Sequence, residues 1–142
     1  VVILAWSLTV VDVTWDPARV AMLGSLVVCG TAIFLGLFVL GASFQFVSTD
    51  ASEVANAFTY GGNTMTQYPL TIYPTEVVKA LTFLVPVAFV NWYPALFILD
   101  VPDPLGLPEW LRFAAPVAAV VVCSLAAFAW RTGVRRYRST GS

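Results

Sequence analysis

Apolar residues fill three long intervals of this chain without one charged side chain: between Arg19 and Asp50, between Lys79 and Asp100, and between Arg112 and Arg131. The intervals hold thirty, twenty and eighteen residues, and a helix needs about 17–25 to cross a bilayer. Lipid offers no partner to an open backbone group, so helices are the expected form of such runs. Spans are predicted over 20–47, 77–99 and 111–130. A shorter apolar run, Val1–Val11, lacks the basic n-region and small-residue cleavage site of a signal peptide. It reads as the truncated end of a span that begins upstream. The expected fold class is all-α, a polytopic transmembrane bundle with about four membrane segments visible, the first of them truncated.

The polar stretches between these runs are short except for residues 48–76. There Asp50-Ala-Ser-Glu53 resembles a capping box. Ala51, Val54, Ala55 and Phe58 follow at i, i+3, i+4 and i+7, the spacing of a short amphipathic helix. Gly61-Gly62 is expected to stop it. The uncharged Tyr60–Tyr73 either stays in the aqueous connector or dips into the membrane. Within the run 77–99, Pro86 and Pro94 each lack an N–H and are expected to kink the helix, freeing the carbonyls of Thr82 and Val90. The loop after it is stiffened by Pro102, Pro104 and Pro108, and Trp110 suits an interface.

Composition and charge sharpen this picture. The chain is 59% hydrophobic and 11% charged, against roughly a quarter charged in soluble domains. Its tail, residues 131–142, carries Arg131, Arg135, Arg136 and Arg138 and no acid, which marks it as cytoplasmic by the positive-inside rule. Counting back places 100–109 outside, the connector 48–76 inside, and 12–19 outside. Histidine is absent, which removes the commonest general base. Cys29 and Cys123 lie inside apolar runs and read as small packing residues. Asp100, Asp103 and Glu109 crowd the outer loop without histidine or cysteine. No catalytic constellation and no metal-ligand set follows from these residues.

Three groups of side chains carry candidate function. Ala21, Ser25, Cys29, Ala32 and Gly36 recur at helical spacing and let another helix approach closely. They serve packing within the subunit or a face between two subunits, and spacing alone does not choose. Asn91, Trp92 and Tyr93 sit between the two prolines; Asn91 is either helix–helix glue or part of a substrate path with two aromatic faces beside it. Glu53, Phe58 and Tyr60 belong to an element that either rests on headgroups or docks on a cytosolic partner. The chain has no phosphate-binding loop of its own.

The phrases NAFTYGGN (Asn56–Asn63), YPLTIYP (Tyr68–Pro74), LTFLVPVAFVNWYPALFIL (Leu81–Leu99), PDPLGLPEWL (Pro102–Leu111) and the terminal RRYRSTGS occur in order. In these the chain resembles the ABC-2 type permeases, in the bacterial six-span branch formerly classed as a domain of unknown function. The resemblance spans most of Ala42–Ser142. It implies the C-terminal part of a six-helix subunit with both termini in the cytoplasm, multi-pass in the bacterial inner membrane. It also implies a separate ATP-binding-cassette ATPase subunit, with ATP and Mg held there and no cofactor in this chain, and a second permease chain, identical or different. Related permeases place a re-entrant helix pair outside before the last span. The loop 100–110 is short for one, so either the pair is absent or the segment boundaries near Pro86–Pro94 differ.

The expected function is therefore transport of a hydrophobic or amphipathic compound out of the cell by alternating access, driven by the partner ATPase. The competing reading is a membrane structural or assembly subunit without a path. For the connector, Phe58→Asp is expected to weaken co-purification with the ATPase while leaving membrane insertion intact; unchanged co-purification removes that role.

Overall fold

The computed structural model describes residues 2–11, 13–46, 53, 56, 60–61, 63–64, 67–103 and 106–136. Among the described residues there is no strand. Five α-helices organise them: α1 (Val2–Val10), α2 (Pro17–Phe44), α3 (Thr75–Phe83), α4 (Trp92–Ile98) and α5 (Ala115–Arg136). Short 3-10 turns at Leu70–Ile72, Val87–Phe89 and Glu109–Phe113 lie between them. Helices α2 and α5 are each long and apolar enough to cross a membrane.

Helix α2 begins three residues before the predicted span. Asp16 is its N-cap, its carboxylate accepting from the Arg19 N–H at 2.7 Å, and Pro17 takes the first helical position. There the missing N–H costs nothing and the fixed φ suits the helix. The helix ends at Phe44, short of the predicted 47. The last helix also shifts, from 111–130 to 115–136. Glu109–Phe113 forms the turn that leads into it, and Arg131, Arg135 and Arg136 belong to its final turns.

The interval 77–99 is not one kinked rod. Helices α3 and Val87–Ile98 meet at 78° across a short break. The N–H groups of Leu84 and Val85 both reach back to the Ala80 carbonyl, and Pro86 follows with no N–H to continue the ladder. Pro94, by contrast, stands in the first turn of α4, where a missing N–H breaks no intrahelical bond. The carbonyl of Asn91 is taken up at once by the Ala95 N–H, 2.8 Å away.

In the connector, the proposed capping box at Asp50 and the apolar position Phe58 lie outside the described residues. Gly62, the second half of the expected stop, also lies outside them, while Gly61 itself is in helical backbone. Tyr60 and Gly61 take a wider π-type turn, and Asn63 and Thr64 are helical beyond it. The Thr64 hydroxyl donates back to the Tyr60 carbonyl at 2.9 Å, occupying a group that the wider turn leaves under-used.

Contacts along α2 and α5 rise together in number. The Cys123 thiol approaches the Ala32 carbonyl, Gly36 lies against Val122, and Phe46 meets Trp130 edge to face and covers Gly133. The two long helices therefore run parallel. Helix α4 runs the other way along α2: Val90 meets Gly30, and Asp100 pairs with Arg19 at 3.6 Å. The core sits where these three helices and α3 converge, around Ile33, Val78, Tyr93 and Ala119. Outward faces are apolar as well, with Val28, Phe83 and Phe128 well exposed.

A Cβ on Gly36 would come within 2.6 Å of the Val122 methyl, whereas one on Gly24 meets nothing within 4 Å. Gly36→Leu should therefore destabilise the subunit by ~1–3 kcal/mol through overpacking, and Gly24→Leu should not. Thermal unfolding of the two variants in the same detergent checks this; equal melting temperatures contradict the contact.

Candidate functional site

Helix α2 is apolar all round, and its two sides do different work. Met22, Cys29, Ile33, Gly36 and Ser43 are buried, a stripe of near-heptad spacing that faces α5 and the core. About half a turn away, at 3.6 residues per turn, lie Thr31, Phe34, Phe38, Ala42 and Gln45. These line open cavities instead.

Two cavities adjoin on that side. The first, of about 600 Å³, is bounded by Phe34, Phe38, Ala42 and Gln45 on α2 and by Asn56, Tyr60 and Asn63 of the connector. The second, of about 380 Å³, runs from Leu26 and Gly30 past Thr31 and Phe34 to Val90 and Asn91. Phe34 and Phe38 line both and lie near each other, ring centroids 6.5 Å apart. From Leu26 to Gln45 is a difference of nineteen positions, or roughly 28 Å at 1.5 Å per residue. A hydrocarbon core is about 30 Å thick.

The chemistry of this face is uniform. Among the described residues, no charged residue lines either cavity. The polar side chains are the amides Gln45, Asn56, Asn63 and Asn91 and the hydroxyls Tyr60 and Thr31. The Thr31 hydroxyl donates to the Val27 carbonyl at 2.7 Å, which leaves mainly its methyl to the cavity. A surface of aromatic rings with a few neutral amides suits a compound with its own rings or alkyl chains and neutral hydrogen-bonding groups. Its described residues offer nothing to neutralise an ion.

The structure separates the residues proposed from sequence. Asn91, at the position before α4, lines the second cavity. Trp92 is half-buried; its Nε1 is buried with no hydrogen-bond partner among the described residues. Tyr93 is 1% exposed and faces inward. Its ring packs on Phe89 at 5.1 Å and its hydroxyl lies 3.1 Å from the Thr82 hydroxyl, tying the two arms of the bent pair together. It is a core residue here, not a wall of the cavities. Glu53 is exposed, Tyr60 is exposed at the rim of the first cavity, and Phe58 lies outside the described residues.

Within the small-residue stripe, Cys29 is buried in the core and Ala32 packs against it, its carbonyl approached by Cys123. Ser25 contacts Cys29 at 3.6 Å. Gly36 meets α5. These contacts lie within the subunit. Phe34 and Phe38 were not singled out from sequence, although they are one helical turn apart on a run with no charge. In an all-apolar helix nothing local distinguishes the cavity side from the packed side. Gly30 and Gly133 were missed for a similar reason: their partners, Val90 and Phe46, are distant in sequence.

The end of the bundle near Arg19 is held by different means. Arg19 pairs with Asp100 and also reaches Thr14, while Arg112 donates to the Val101 carbonyl at 3.2 Å. Asp100 is exposed, so the ion pair itself is worth no more than ~1 kcal/mol. Asp103 accepts from the Leu107 N–H at 3.2 Å and shapes the loop.

The sequence model of a family described as "ABC-2 family transporter protein" matches residues 1–141. No curated protein and no solved structure matches the chain.

The Tyr93 assignment has a direct test. Tyr93→Ala should cost ~3–5 kcal/mol as a buried aromatic is deleted, and Tyr93→Phe only ~0.5–1.5 kcal/mol, because Thr82 still donates to the Val78 carbonyl at 2.8 Å. Thermal unfolding reports both; equal stability of the Ala variant and the native chain contradicts a core role.

Proposed function

This chain belongs to the ABC-2 family of transporter proteins, and we propose that it is a permease subunit that exports an uncharged hydrophobic or amphipathic compound along the exposed side of α2. The observation that carries this reading is the cavity face from Leu26 to Gln45, uncharged among the described residues and roughly as long as a bilayer core is thick. Rings at Phe34 and Phe38 supply apolar contact midway. Asn91 and the connector amides supply neutral hydrogen bonds at either end.

The bend supports a moving part in the same place. Helix α3 and the segment Val87–Ile98, which contains α4, are joined by only a few residues around Pro86, with Thr82 and Tyr93 as the polar link across the angle. A small rotation at that break shifts Val90 and Asn91 against Gly30, and so narrows or widens the second cavity. In the proposed cycle a partner ATP-binding-cassette ATPase binds ATP and Mg, pushes on the connector around Glu53, and drives that rotation. A second permease chain completes the transporter.

The parallel course of α2 and α5, both ending near the arginines of α5, supports a cytoplasmic C-terminus in the inner membrane of a bacterium. In that frame α2 runs from outside to inside. The bent pair returns the chain to the outer face, and α5 runs inward again. Helix α1, with its Val11 end near Leu23 and Ile98, is the fourth membrane segment of what we propose is a six-helix subunit.

The test uses the complete complex with its ATPase, reconstituted in proteoliposomes and challenged with a panel of neutral amphipathic aromatic dyes. Phe38→Ala and Asn91→Ala should each lower dye-stimulated ATP hydrolysis by about 2- to 10-fold, the worth of one lost contact or hydrogen bond, with basal hydrolysis unchanged. Unchanged stimulation in both variants, or stimulation by charged hydrophilic solutes alone, contradicts the reading.

A further inference from the structure

On the side of α2 away from that face, a second apolar groove opens between the C-terminal ends of α2 and α5. It has a volume of about 370 Å³ and lies between Leu40 and Phe44 on one side and Phe128, Ala129 and Thr132 on the other. Phe46 closes it beside Trp130, ring centroids 5.2 Å apart. Two hydroxyls lie in the groove, and both are already occupied. Ser43 donates to the Val39 carbonyl at 2.6 Å and Thr132 to the Phe128 carbonyl at 2.9 Å. The groove therefore presents little but hydrocarbon.

Its mouth is cationic. Phe128, Thr132 and Arg135 fall at i, i+4 and i+7, so the stripe of α5 that lines the groove continues into Arg135 one turn later. Arg131, three residues after Phe128, flanks the same stripe. Both arginines are exposed, and neither α2 beyond Arg19 nor α5 carries an acid. A hydrocarbon slot with arginines along the stripe that leaves it, and no acid among the described residues that line it, is matched by an amphipathic anion.

We propose that this groove binds an anionic phospholipid, an acyl chain lying between α2 and α5 and the phosphate on Arg135 and Arg131. A free phosphate leaves the hydrocarbon unfilled. A second copy of this chain docked by the same face sets Arg131 and Arg135 against their own counterparts, like charge against like charge. The lipid satisfies both halves of the site, and its position across the parallel pair clamps the two helices at the end opposite the Arg19–Asp100 contact.

Trp130 is the built-in reporter. The intact transporter is placed in nanodiscs containing brominated phosphatidylglycerol or brominated phosphatidylcholine, and the Trp130 component of fluorescence is taken as the difference from Trp130→Phe. Phosphatidylglycerol should quench at a lower mole fraction than phosphatidylcholine. That preference should fall roughly fivefold in Arg135→Gln, the effect expected of one basic residue near an anionic surface, and further in Arg131→Gln/Arg135→Gln. Ala129→Leu, which fills the slot, should weaken quenching by both lipids. Equal quenching by the two lipids in the native protein, a preference retained in the double variant, or no quenching by either because protein covers the groove, each overturns the proposal.

Discussion

The close parallel contact of α2 and α5 is the constraint from which the rest of the arrangement follows. It depends on backbone approach at Gly36, where a side chain would collide with Val122, on the Cys123–Ala32 contact beside it, and on Gly133 making room for the Phe46 ring just past the end of α2. Without a hydrophobic driving force between helices in lipid, such approach is the main source of attraction, because dispersion grows as backbones near each other. Parallel neighbours also impose a topological debt. A chain that leaves α2 at Phe46 must travel back the length of that helix before it can begin α5 beside it. The Arg19–Asp100 pair marks the place where it has returned.

The return is made by a bent element rather than a third straight rod, and this gives the subunit its asymmetry. Tyr93, Phe89 and Val78 fill the angle between α3 and α4, so the bent pair packs on the stripe of α2 that includes Cys29 and Ile33. The other side of α2 keeps its rings and amides open along most of its length. Polar groups are handled in two ways. Hydroxyls at Thr31, Ser43, Thr82 and Thr132 fold back on carbonyls four residues earlier and disappear into the backbone. The amides at Gln45 and Asn91 instead border the cavities.

How much of this was legible in the sequence depends on whether its cause was local. The uncharged intervals announced α2, α5 and the region of the bent pair, since a lipid-soluble helix must exclude charge along its length. The start of α2 was misjudged because Asp16 and Pro17 were read as loop, although cap and proline together are a local signal. Pro86 and Pro94 look equivalent in sequence and are not. Only the position of the helix start at Trp92 makes one a breaker and the other a first-turn residue. Asn91 lines the second cavity, while Tyr93, two positions on, turns into the core, a difference of about 200° in helix phase that no pattern of hydrophobicity records. Phe34 and Phe38 carry no mark of function within a helix that is apolar on every side.

The central claim is that opposite sides of α2 differ in access to water, one lining a path and the other sealed by α5. A cysteine scan of α2 tests this most directly, with Cys29 and Cys123 first replaced by Ala and a water-soluble, membrane-impermeant thiol reagent applied to the complete transporter. Thiolates form only where water reaches them. Cysteines at Thr31, Phe34, Phe38 and Ala42 should react, and those at Ile33 and Gly36 should not, giving a labelling period near 3.6 residues. Labelling at Ile33 and Gly36 with silence at Phe34 and Phe38, or labelling with no helical period, contradicts the account.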